Sequence, residues 1–124
     1  MTSFQILWDY LKTNGQTQES FSAQLGIDRR TLGRWIKNGF SHSSMSPDWI
    51  CRASFRGYDR GFVKGFINYI KDRGYDPEIN IINKDGSIDV DGFEAFFNAF
   101  LADDIREVQK KQNFVLPAYY YDRL

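Results

Sequence analysis

One cysteine and one histidine are all that 124 residues contain, and their scarcity removes whole classes of chemistry. Cys51 alone cannot close an internal disulfide, and its apolar helical surroundings predict a buried or half-buried free thiol with no catalytic use. His42 has no second histidine, paired cysteine or nearby serine nucleophile, so a solvated loop residue is expected rather than a metal ligand or a triad member. Paired carboxylates and a phosphate-binding loop at usable spacing are missing too, and Asp103-Asp104 reads as a solvated helix face. The expectation is a protein that is not an enzyme and needs no cofactor or metal. No apolar run reaches the roughly 18 to 20 residues of a membrane span. The opening, MTSFQILWDYLKTNG, lacks the basic-then-apolar layout of a signal peptide, so a cytoplasmic protein without a membrane partner is expected.

Net charge is also lacking, but the zero is an average over two unlike halves. Residues 1–60 hold eight Lys and Arg against five Asp and Glu, or +3, and residues 61–124 hold eight against eleven, or −3. A basic headpiece beside an acidic remainder suits a DNA-binding unit joined to a dimerising or partner-binding unit, because only the contacting face needs positive potential.

What the chain does have is a helix, a glycine turn and a second helix within residues 17–39, TQESFSAQLGIDRRTLGRWIKNG. Phe21 and Leu25 share one face of the first helix, and Leu32, Trp35 and Ile36 share one face of the second. Gly26 stands where the chain must leave helical geometry, and Asp28 can cap the free amides of the next helix. With the apolar stripe inward, Arg29, Arg30, Gly33, Arg34 and Lys37 face outward. Arginine in that place can donate two hydrogen bonds to guanine, a contact worth roughly 1 to 3 kcal/mol of base discrimination, and Gly33 permits close approach. The bland reading of the same stripe is a solvated helix face.

Thr17-Gln18-Glu19, Leu25-Gly26-Ile27, Thr31-Leu32, Arg34-Trp35 and Asn38-Gly39 together resemble the helix-turn-helix of the lambda repressor and Cro-type (XRE-type) regulators. The resemblance extends over residues 3 to about 56. It implies that Gln18 binds a phosphate and that Asp28, Arg29, Arg30, Thr31, Gly33, Arg34 and Lys37 lie on the DNA-facing surface. Two departures stand out: Ser22 occupies the small-residue position between the two helices, and one extra residue separates Trp35 from Gly39.

Around this unit the spacing predicts a first helix over residues 4–13, built on Phe4, Leu7, Trp8 and Leu11 and ended by Asn14-Gly15. A polar loop holding His42 follows Gly39, and Ser46-Pro47 opens another helix. Residues 59–73 predict a helix with Phe62, Phe66, Tyr69 and Ile70 on one face. Ile79, Ile81 and Ile82 before Lys84-Asp85-Gly86, with Ile88 and Val90 after it, predict a short β-hairpin. Its Asn83, Asp85 and Asp89 invite comparison with a calcium loop, but Ile81 and Gly92 occupy the two end positions where ligands are required. Asp91 and Glu94 then read as a capping box for a last helix running to about Lys111, with Phe93, Phe96, Phe97, Phe100, Leu101, Ile105 and Val108 inward.

The fold expected is therefore mainly α with a small antiparallel β-ribbon, divided into a headpiece over residues 1–57 and a dimerisation or partner-binding region over residues 58–124. The chain has eleven Phe and seven Tyr, concentrated after residue 54, more than so small a second half can bury by itself, which predicts a homodimer through Phe97, Phe100, Leu101, Tyr119, Tyr120 and Tyr121, with packing into the chain's own core as the other reading. The function expected is a DNA-binding transcriptional regulator, a repressor of the phage or mobile-element type, bound as a dimer to an inverted repeat in double-stranded DNA. The alternative is a protein-interaction or inhibitory module whose acidic, aromatic second half is the working surface.

Overall fold

The computed structural model describes residues 1–40, 45–75 and 81–112, the stretch 105–112 by its helical backbone alone. Six α-helices make up the described residues: α1 (Ser3–Thr13), α2 (Gln18–Leu25), α3 (Arg29–Asn38), α4 (Pro47–Ser54), α5 (Arg60–Lys71) and α6 (Val90–Gln112). A 3-10 turn at Arg56–Tyr58 joins α4 to α5. Local chemistry sets most of the helix starts. Thr2 and Gln5 form a reciprocal capping box on α1, Thr17 caps α2, Asp28 caps α3, Ser46 with Pro47 opens α4, and Asp59 caps α5. The mainly helical reading stands.

The β-hairpin does not form among the described residues, and Ile79 lies outside them. What remains is a single antiparallel bridge between Ile82 and Ile88 around a tight turn. Asp85 organises that turn, its carboxylate accepting from the Ser87 N–H at 2.9 Å and the Ser87 hydroxyl at 2.5 Å. These two bonds hold the Asp85 carboxyl below its ordinary range although it is fully exposed. The returning arm stops because Asp89 accepts from the Gly92 N–H at 3.1 Å, starting α6 at Val90. The cap is thus Asp89 rather than the expected Asp91, and Glu94 is released for a contact elsewhere.

One continuous core runs from Phe4 of α1 to Leu101 of α6, so the described parts of the two expected regions share an interior. Phe55, at the end of α4, sits among Phe62, Phe66, Phe93 and Phe97 with ring centroids 4.9–5.7 Å away. Tyr10 of α1 packs on Phe62, Phe66 and Tyr69 of α5 and donates its hydroxyl to the Phe62 carbonyl at 2.5 Å. The expected dimer residues Phe97, Phe100 and Leu101 are 0, 3 and 0% exposed, which commits them to this core and leaves no surface for a partner. Phe66 of α5 packs on both phenylalanines, with Phe55 on Phe97 and Tyr75 on Phe100. The other three, Tyr119, Tyr120 and Tyr121, lie outside the described residues.

Asp104 also departs from expectation. It is buried, and its carboxylate accepts the Ser3 N–H at 2.8 Å and the Phe4 N–H at 2.6 Å, satisfying the first free amides of α1 from the far end of the chain. Gly39 lies alongside, with room for a Cβ only in ordinary contact with Thr2 and Asp104. The start of α1, the end of α3 and a late turn of α6 therefore meet at one point. Phe40, just past the extra residue of α3, is fully buried against Phe4 and Trp35, and this gives the longer exit its anchor.

Candidate nucleic-acid interface

The turn between α2 and α3 is three residues long, and each residue has a task. Gly26 takes a left-handed conformation, φ 71°, that ends α2. Ile27 packs partly against the core. Asp28 accepts the Arg30 N–H at 2.6 Å. Its carboxylate therefore caps α3 through one oxygen.

Inside the pair, Phe21, Leu25, Leu32 and Trp35 are buried, Trp8 stacks on Phe21 and Phe4 meets Trp35 edge to face. Ser22 is buried where a larger side chain would push the helices apart, and its hydroxyl donates to the Glu19 carbonyl at 3.0 Å. Those contacts fix which face of α3 is left outside.

At about 100° per residue, Arg29, Arg30, Arg34 and Lys37 fall in an arc of roughly 140°, centred away from Leu32 and Trp35. All four are exposed. Gly33 lies within the arc, half-exposed, with open space where a Cβ would stand. No packing contact among the described residues requires a glycine there, and its backbone is ordinary helix. Arg34 extends along the helix and donates to the Thr31 hydroxyl at 3.2 Å, so the half-exposed Thr31 steadies that guanidinium. Among the described residues none of the four cations has a carboxylate partner; the ion pairs lie elsewhere, at Lys12–Asp9 and Arg52–Glu94. Within the first turn of α3, after the Asp28 cap, the charged side chains are Arg29 and Arg30, which add to the positive end of the helix dipole.

Gln18 is the first residue of α2, half-exposed, and its amide has no hydrogen-bond partner among the described residues. The residues named from the sequence thus share one helix pair. Of these, Asp28 and Thr31 are engaged within α3, whereas Gln18, Arg29, Arg30, Gly33 and Lys37 make no side-chain commitment.

Trp49 of α4 was not singled out by the sequence. It is 45% exposed, and its indole N–H donates to the Leu25 carbonyl at 3.3 Å, beside the Gly26 turn. An aromatic at that place was invisible because the partner is a backbone atom 24 residues away. Among the described residues no group of His, Cys, Asp and Glu could hold a metal ion, and no helix is long and apolar enough to cross a membrane. No protein-family model, curated protein or solved structure matches the chain.

Proposed function

We propose that the protein is a sequence-specific DNA-binding regulator in which α3 enters the major groove and α2 lies across the phosphate backbone. The observation that carries this reading is the outer arc of α3: four exposed cations, none of them ion-paired among the described residues, and an unfilled glycine among them. In such a docking Arg29 and Arg30 reach base edges from the first turn, Gly33 admits the groove wall, and Arg34 and Lys37 meet phosphates. Gln18, at the start of α2, is the phosphate anchor.

The regulator acts as a repressor by occupying an operator that overlaps a promoter. Two copies on an inverted repeat would place their α3 helices about 34 Å apart, one turn of DNA. The pairing surface in this reading is not the Phe97 face, which is interior. The competing reading, an interaction module working through the acidic, aromatic second half, cannot use Phe93, Phe97 and Phe100, which are buried.

The test is fluorescence anisotropy on duplexes tiled across the promoter region next to the gene, with mass photometry for stoichiometry. Wild-type protein should select one duplex, and Arg29→Ala with Arg30→Ala should abolish that selection. Equal affinity and preference in wild type and double variant would refute the proposal.

A further inference from the structure

The acidic average of the second half conceals a basic stretch. Residues 56–73 hold five Lys and Arg against two Asp, and the acidic surplus lies entirely after them. On α5, Arg60, Lys64 and Lys71 fall within about 40° of one another at 100° per residue, and they extend over roughly 16 Å of helix. All three are exposed, as is Arg56 in the turn before them. Neither aspartate neutralises the stripe. The Asp59 carboxylate accepts the Phe62 N–H at 2.8 Å as the cap of α5, and Asp72 stands at the opposite end, beyond the last turn. Among the described residues none of Arg56, Arg60, Lys64 and Lys71 has an ion-pair partner. By contrast Arg73, off the stripe, is engaged: its guanidinium lies 3.4 Å from the Tyr69 ring centroid and donates to the Tyr69 carbonyl.

The inner face of α5 explains why the helix exists, through Val63, Phe66, Ile67 and Ile70, but it does not explain the stripe. An aligned row of unneutralised cations costs self-repulsion and matches a linear row of negative charge, such as the phosphates of a nucleic-acid strand. The stripe also has a fixed relation to α3. Both helices pack on α1, α3 through Trp35 on Phe4 and α5 through Phe62 and Phe66 on Tyr10.

We infer that α5 is a second nucleic-acid contact, a sequence-independent face on which Arg60, Lys64 and Lys71 bind the phosphate backbone of duplex DNA. The inference rests on the regulator reading for its ligand, and the two can fail separately. Arg60→Gln, Lys64→Gln and Lys71→Gln are combined in one protein and compared with wild type and with the Arg29→Ala, Arg30→Ala protein. Each is titrated onto the promoter duplex and onto a scrambled duplex of equal length at increasing salt. The α5 variant should bind both duplexes about tenfold or more weakly, with preference retained, and the slope of log affinity against log salt should fall by about 2 to 3. Thermal melting by circular dichroism establishes that it is folded. On wild-type protein, DNA should protect Lys64 and Lys71 from acetylation, a readout that needs no variant.

Unchanged affinity, slope and lysine reactivity would overturn the inference while leaving the α3 proposal intact. A change confined to self-association in sedimentation would also overturn it, because the stripe would then serve a second copy of the chain. Loss of binding in the α5 variant with no effect of the α3 substitutions would support the inference and defeat the α3 proposal.

Discussion

The outer face of α3 and the joint between α4, the 3-10 turn and α6 treat charged side chains in opposite ways. At the centre of the joint the charges of Arg52, Glu94 and Asp48 each have a structural partner. Arg52 Nε lies 3.5 Å from the Glu94 carboxylate, the Tyr58 hydroxyl donates to the same carboxylate, and Asn98 donates to Asp48 and to the Glu94 carbonyl. Tyr58 even holds a left-handed backbone, φ 47°, a conformation that tyrosine adopts at a cost. Beneath it Cys51 is fully buried, and its thiol is pushed up in pKa, first by burial and then by Glu94 and Asp48, so it stays protonated and inert. On α3 four cations have no ion-pair partner among the described residues, and a glycine occupies helix that alanine would stabilise. The joint has the economy of a stability element. The α3 face has a surplus of charge that no ion pair among the described residues uses.

The comparison can be broken first at Phe55. Removing a fully enclosed ring by Phe55→Ala should cost about 3 to 5 kcal/mol in chemical denaturation. A loss under 1 kcal/mol would mean that α4 and α6 do not share a core. Next comes Glu94→Ala, which strands the half-buried Tyr58 hydroxyl and frees Arg52; about 2 kcal/mol of stability should go, and DNA affinity of the folded protein should stay. If it is affinity that falls, the joint is not merely structural.

On α3 the sign reverses. Gly33→Ala should raise stability by about 0.5 to 1 kcal/mol, since the site is helical and unfilled, while weakening DNA binding by crowding the groove. A stabilised protein with unaltered DNA affinity would remove the reason offered for that glycine. Smallest of all, Arg29→Ala with Arg30→Ala should shift unfolding by less than about 0.5 kcal/mol, because exposed unpaired cations at a helix N-terminus hold nothing together. A loss of 2 kcal/mol there would place these arginines with the joint.

How much was legible follows from the range of the interactions. Helix starts at Asp28, Ser46 and Asp59 depend on atoms two or three residues away, and they stand as their chemistry suggests. The hairpin and the last helix compete for Asp89, Val90 and Asp91, and alternation of isoleucines could not say which would win. One carboxylate bond, from Asp89 to the Gly92 N–H, settles it for the helix. Phe97 and Phe100 had the chemistry of an interface and the chemistry of a core alike. Only the tertiary contacts of α6, with Phe55, with Phe66 of α5 and with Tyr75, distinguish them.

The amino-acid sequence by itself determined the helices, the caps at Asp28 and Ser46, the glycine turn at Gly26 and the cationic face of α3, because each depends on neighbours within a turn or two of the chain. Tertiary structure alone decided that the described residues form one core, that Phe97, Phe100 and Leu101 are interior, and that Asp104 is a buried cap for α1. A carboxylate near the far end of a sequence looks solvated until folding brings two unpaired amides to it, and hydrogen bonds across a hundred positions leave no periodicity to read.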